Sequence, residues 1–189
     1  MTRRANLLED LRTYEPADDL EARHHRAIAE LLLEDGDPFS RRHFEPGHVT
    51  ASCFIVDPTG TRLLLHHHRR LDRWLQMGGH LEAAESPVDA AMREGIEESG
   101  LRDLEWVCYG VFDVDVHAIP AGQGEPDHHH FDIRYLARTT TPDGIVMDQN
   151  ESSDLTWVSL DRAVDLMNEE ASARVIRKIE RLVHDRRVE

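Results

Sequence analysis

GGHLEAAESPVDAAMREGIEESGL, residues 78–101, is the stretch from which the rest of the chain is read. It opens as a loop and continues as a helix. Ser86 suits an N-cap, Pro87 suits the first helical position, and Asp89 completes a Ser-x-x-Asp capping box. Gly100 is a natural left-handed stop. At about 100° per residue, Val88, Ala91, Met92, Gly95 and Ile96 gather on one side. Glu94, Glu97 and Glu98 fall on the opposite side, where like charges repel unless a cation neutralises them. A hard divalent ion does this best, because Mg²⁺ and Mn²⁺ prefer carboxylate oxygen. Taken alone, the same pattern also describes a solvated acidic helix face.

The full spacing narrows that choice. Gly79, Glu85, Arg93-Glu94, Glu97-Glu98 and Gly100-Leu101 stand in an order that resembles the Nudix box. The resemblance implies an α/β (α+β) Nudix fold, a mixed β-sheet sandwiched between α-helices. It also implies Mg²⁺- or Mn²⁺-dependent attack of water on a diphosphate linkage. In that reading Glu94, Glu97, Glu98 and the Gly79 carbonyl hold metal, and bound metal neutralises phosphate oxygens and lowers the pKa of water. Glu94 is alternatively the general base. Arg93 orients a glutamate by a charge-assisted hydrogen bond, and Glu85 supports the loop–helix geometry by pairing with Arg93. One position departs from the family pattern: Gly95 stands where an aliphatic residue is usual. A mid-helix glycine costs on the order of 1 kcal/mol relative to alanine, and close approach of helix to sheet is the packing account.

Length and composition set the outer bounds. The 189 residues suit one domain plus an extension, with a helical extension over 1–45 and the Nudix domain over 46–189. A hydrophobic content of 40% is enough for a core, and no apolar run is long enough to span a membrane. The opening MTRRANLLEDLRTYEP lacks the apolar region of a secretory signal, and Cys53 and Cys108 lie in strand-like apolar runs as buried thiols. These features point to the cytoplasm. A formal net charge of −15 argues against non-specific binding to nucleic acid or anionic membranes. It would repel a phosphorylated substrate too, so metal ions and local arginines must reverse the field at the site.

Ahead of the box, Leu20, Ala27, Ile28, Leu31 and Leu32 repeat at helical spacing, with Asp18 or Asp19 as cap and Gly36 as stop. This segment suits a lid, a dimer contact or a cap on the sheet. From His48 the pattern turns to strands, with a hairpin folded at Asp57-Pro58-Thr59-Gly60. His66, His67 and His68 follow on alternating faces and cannot all bind one ion. Arg69, Arg70 and Arg73 enter a loop with Trp74, where guanidinium forks suit phosphate and an indole suits a base or the core. Arg70 and Trp74 are the substrate-contact candidates.

Past the box, Asp113, Asp115 and His117 alternate with Val114 and Val116. His128, His130, Asp132 and Arg134 then share one face of a second strand, with Phe131, Ile133 and Tyr135 on the other. Two such strands side by side form either an ordinary solvent-facing surface or one wall of a substrate pocket with an auxiliary metal. His130, Asp132 and Arg134 are the candidates of the second reading. Later, Leu155–Val158 reads as a strand, Ser159 caps a helix to about Met167, and an amphipathic helix closes the chain. Nudix resemblance makes Glu151, ahead of that strand, a residue that approaches the metals.

The implied partner is a small-molecule nucleotide diphosphate, and a homodimer is compatible with the family. A Nudix-fold sensor that binds without cleaving is the competing function; such domains commonly lose box carboxylates, and this chain retains them. Isopentenyl diphosphate isomerase chemistry needs a reactive cysteine, and Cys53 has an apolar setting. Loops outside the box determine what is attached to the diphosphate.

Overall fold

The computed structural model describes residues 2–122 and 124–185. In chain order it forms α1 (Arg3–Thr13), α2 (Asp19–Leu33), β1 (Gly47–Val56), β2 (Arg62–His68), β3 (Arg73–Leu75), β4 (Met77–His80), α3 (Pro87–Ser99), β5 (Glu105–Trp106), β6 (Asp113–Ile119), β7 (His128–Arg138), β8 (Ser152–Ser159), α4 (Leu160–Met167) and α5 (Ser172–Asp185). The strands join one sheet in the order β3-β2-β1-β7-β5, with β4 on β1, β6 on β7 and β8 on β2. β1 and β7 run parallel: the His129 N–H donates to Pro46 at 3.0 Å near one end and the Thr139 N–H to Val56 at 3.2 Å at the other. The flanking pairs β1–β2, β2–β8 and β6–β7 are antiparallel, so the sheet is mixed, as an α/β Nudix fold requires.

The chain divides into two compact units, and β1, β7 and α3 each pass from one to the other. The first comprises the described parts of Met1–Ser52, Gly78–Ala91 and Gly110–Tyr135. Here α2 packs on β6 and caps the sheet. Arg4 donates to the carbonyls of Leu32 and Glu34, at the C-terminal end of α2 where helical partners run out, and to that of Gly36 just beyond it. Asp18 caps the other end by accepting from the Glu21 N–H at 2.9 Å. Glu21 is fully buried, yet its carboxyl oxygens accept from Tyr14 Oη, the Ala17 N–H and the Val114 N–H, so the group is hydrogen-bonded on three sides. Leu7, Leu11, Ile28, Leu31, Val49, Val114 and Ile133 are buried within this unit.

The second unit comprises the described parts of Cys53–Met77, Met92–Tyr109 and Leu136–Glu189. Its hairpin turns at Asp57, whose carboxylate accepts from the Thr61 and Arg62 N–H groups and from Thr59 Oγ1, with Gly60 at φ +69°. β2 then lies between β1, β3 and β8, with Leu64 opposite both Ile55 and Trp157. The expected loop over Arg69–Trp74 is shorter than the sequence suggested, because Arg73–Leu75 form β3 and pair with His66–His68. Ser159 caps α4 as its position predicts, and α4 packs on α5, β2, β3 and β8. No helix among the described residues is long and apolar enough to cross a membrane.

Candidate active site

The helix that carries the box is fixed at both ends. The Ser86 hydroxyl bonds the Asp89 carboxylate at 2.5 Å and accepts from its N–H at 3.3 Å, and the Ala90 N–H reaches the Ser86 carbonyl at 3.0 Å. At the far end Gly100 takes φ +74° and donates to the Ile96 carbonyl at 2.9 Å. A Cβ on Gly95 would lie 3.2 Å from Cys53 Sγ and 3.2 Å from Leu104 Cδ1. The departure from the family pattern is therefore a close packing position, where helix backbone meets a side chain of β1.

With the helix so placed, Arg93 Nη1 donates to Glu94 Oε1 at 2.8 Å and to Glu97 Oε2 at 3.2 Å. The arginine thus holds two carboxylates of the box. Glu97 is the outermost, with its side chain 59% exposed. Glu98 is the innermost at 6%. Its Oε1 lies 4.0 Å from Nδ1 of His66, which is 2.7 Å from Ser152 Oγ. Burial lowers His66 to about 4, so the ring is neutral at neutral pH and supplies no counter-charge. One residue pair further along the same face of β2, His68 Nε2 stands 3.9 Å from Glu151 Oε2, and the His66 and His68 rings meet edge-on at 5.6 Å. Burial again depresses His68, against the pull of Glu151. Glu151 thus reaches the His66–Glu98 end of the box helix by way of the two imidazoles. The two histidines were not among the residues singled out for function; their period-2 spacing was the signal that they share a face. Glu94, Glu97 and Glu98 offer hard carboxylate oxygens, the donor type that Mg²⁺ and Mn²⁺ prefer, along the same stretch of α3, with the His66 imidazole beside the innermost.

In the first unit, β4 approaches β1 so closely that a Cβ on Gly78 would fall 2.6 Å from Ser52 Oγ and 2.8 Å from the Ala51 carbonyl. Gly79 follows it on the same strand. Glu85 Oε2 accepts from the Glu82 N–H at 2.8 Å and so closes the loop that leads into α3.

The remaining candidates separate. Arg70 is exposed at the β2–β3 turn. Trp74, half-buried on β3, meets His67 edge-on at 5.1 Å. Asp132 and Arg134 lie in the interior, 2% and 1% exposed, and not on a surface. Arg134 pairs with Asp132 at 2.9 Å, Asp115 at 3.1 Å and Asp113 at 3.4 Å, and Asp132 also accepts from Thr50 and Ser52. Of the two readings of these strands, an ordinary solvent-facing surface does not hold for Asp113, Asp115, Asp132 and Arg134: α2 packs on β6, and their polar alternation records a buried ion cluster. His130, half-buried, sits among the rings of His48, His80, His117 and His128 at 4.9–5.5 Å.

The family pattern of the NUDIX domain matches residues 46–179. The chain belongs to the Nudix family. Among curated relatives, it is 29% identical over 108 residues to the m7GpppN-mRNA hydrolase NUDT17 of Xenopus laevis, covering 52% of this chain and 36% of that protein. It is 38% identical over 61 residues to human diphosphoinositol polyphosphate phosphohydrolase 3-alpha, covering 32% and 37%. The chain therefore spans little more than a third of the length of the first curated relatives it matches. A probable DHNTP pyrophosphohydrolase of Lactococcus lactis is 31% identical over 108 residues, with 56% and 63% covered. Among solved structures, the Ap4A hydrolase of C. elegans in a binary complex matches with a TM-score of 0.59 at 19% identity, over 72% of this Nudix chain and 98% of its own. A NUDIX-family hydrolase from Clostridium perfringens matches with a TM-score of 0.53 at 29% identity, over 71% and 97%.

Proposed function

We propose that this Nudix protein hydrolyses a diphosphate linkage in a small nucleoside diphosphate-X substrate, with Mg²⁺ or Mn²⁺ held by Glu94, Glu97 and Glu98. The observation that carries the reading is the intact box helix, capped at Ser86 and stopped at Gly100, with Glu94 and Glu97 drawn to Arg93 and Glu98 beside His66. The bound cation would neutralise phosphate oxygens and make water a better nucleophile. The chain's own residues do the rest. Arg93 positions Glu94 and Glu97, and Glu94 is a candidate to accept the proton from water. Glu85 holds the loop ahead of the helix. Glu151, behind His68, adds a fourth carboxylate on the Glu98 side. Arg70 offers an exposed guanidinium to a phosphate and Trp74 a ring to a base. Asp132 and Arg134 serve β6 and β7 from within and give the substrate surface no direct contact.

The names of the relatives support the class of reaction: a cap hydrolase, a diphosphoinositol phosphohydrolase, a DHNTP pyrophosphohydrolase and an Ap4A hydrolase. The test is a screen of nucleoside triphosphates, nucleotide sugars and dinucleotides with Mg²⁺ or Mn²⁺, reading phosphate after a coupled phosphatase. Calorimetry on the same compounds separates cleavage from binding alone. Turnover of at least one class supports hydrolysis; tight binding with the ligand recovered intact would replace it with the sensor reading.

A further inference from the structure

His48, at the start of β1, and His128 and His130, on β7, place ligand nitrogens within 4.8 Å of one another. The backbone fixes that approach. Gly47 takes φ +153°, and a Cβ there would lie 1.9 Å from the His129 carbonyl, so only glycine lets β1 close on β7 at this point. Two of the rings are interior, with His48 1% and His128 4% exposed. Each spends Nδ1 on a backbone carbonyl, His48 on His43 at 3.1 Å and His128 on Pro126 at 2.8 Å. A carbonyl only accepts, so Nδ1 carries the hydrogen in both rings and Nε2 is left as a bare lone pair. Both Nε2 atoms are buried, and neither has a hydrogen-bond partner. Nδ1–H on a carbonyl with Nε2 free is the arrangement of a metal-ligating histidine, the carbonyl setting tautomer and ring orientation.

We propose that His48, His128 and His130 form a second metal site, built for a borderline transition ion, Zn²⁺ foremost, and separate from the box carboxylates. Imidazole nitrogen suits Zn²⁺, Ni²⁺, Cu²⁺ and Co²⁺, whereas Mg²⁺ and Mn²⁺ prefer oxygen. Three histidines and an open fourth position match zinc sites that take water or a ligand oxygen. Zn–N bonds of about 2.0–2.1 Å place tetrahedral ligands about 3.3 Å apart, which the rings reach by turning inward. Phe44, edge-on to His128 at 5.1 Å, forms an apolar side of the site. The inference does not depend on the hydrolase reading.

The alternative is a cluster of neutral rings packed for their own sake. The experiment is a titration of the untagged, chelator-stripped full chain with Co²⁺ as optical probe, followed by competition with Zn²⁺. One Co²⁺ per chain with tetrahedral visible bands, displaced by Zn²⁺ and not by excess Mg²⁺, is expected. His130→Ala and His128→Gln should each weaken binding by at least tenfold, the lower end of what loss of a ligand's supporting partner costs. Glu98→Gln should leave it unchanged. Bands that persist in both histidine variants, or vanish in Glu98→Gln, would overturn the proposal. Because His128 is buried and its replacement can disturb the fold, anomalous scattering at the zinc edge from wild-type crystals supplies a variant-free check. A peak among the three Nε2 or Nδ1 atoms is expected, and none in zinc-soaked crystals refutes the site.

Discussion

Replacing Arg134 by methionine removes one cation from among three carboxylates that the chain cannot easily expose. Its guanidinium reaches Asp132, Asp115 and Asp113 at 2.9, 3.1 and 3.4 Å, and the three acids have side chains only 2%, 10% and 0% exposed. Methionine matches the arginine stem in volume but leaves buried negative charge without its partner. Breaking a buried pair in this way costs about 3–5 kcal/mol, a large share of the roughly 5–15 kcal/mol that holds a domain folded. Tm should fall by roughly 6–20 °C for a chain of this size. The pH dependence carries the sharper signature. Burial opposes ionisation of Asp115, but the Arg134 charge and the His117 and His24 contacts overcome it and hold the carboxyl well below the usual carboxylate range. In the wild type its contribution is present above about pH 3.9 and is lost as pH falls through the folded value. Without Arg134, desolvation raises the folded pKa, so stability is present at low pH and lost as pH rises through it. Urea unfolding of both proteins at pH 7 and pH 5 should therefore show a deficit that shrinks on acidification. A deficit below about 1 kcal/mol, the same at both pH values, would refute the burial argument.

Other outcomes follow from single contacts. Gly95→Ile, which restores the usual family residue type, should destabilise by about 1–3 kcal/mol through overpacking against Cys53 and Leu104; urea midpoints at constant slope measure it. Gly95→Ala should gain the helix preference of about 0.8–1.0 kcal/mol fully only when Cys53→Ala is made with it, so the two changes should couple in a double-mutant cycle. Ser86→Ala should cost about 1 kcal/mol at the start of α3, read by thermal melting, and an unchanged melt would remove the cap from the account.

What could be read before the structure was what lies close along the chain. Ser86, Gly100, Asp57 and Ser159 act on backbone groups within a few residues, so caps and turns carried their own signal. Arg93 reaching Glu94 and Glu97 follows from helical spacing in the same way. The interior placement of Asp113, Asp115, Asp132 and Arg134 did not show, because alternation marks a polar face without saying whether water or an ion partner meets it. The pairing of Glu151 with His68, and the meeting of His48 with His128, join residues far apart in sequence and depend on which strands lie side by side. Gly95 sat between: its oddity was visible, and its cause, Cys53 on β1, needed the sheet.

The central claim is that the α3 carboxylates carry metal-dependent cleavage of a P–O–P bond. The measurement that tests it most directly is the turnover of a confirmed substrate in Mg²⁺ by the wild type and by Glu97→Gln and Glu98→Gln, each checked for an unchanged circular dichroism spectrum. The account predicts a loss of roughly a hundredfold or more in each variant, beyond the 10–100-fold typical of residues one layer further from a metal. A folded Glu98→Gln protein that turns over at the wild-type rate would contradict it.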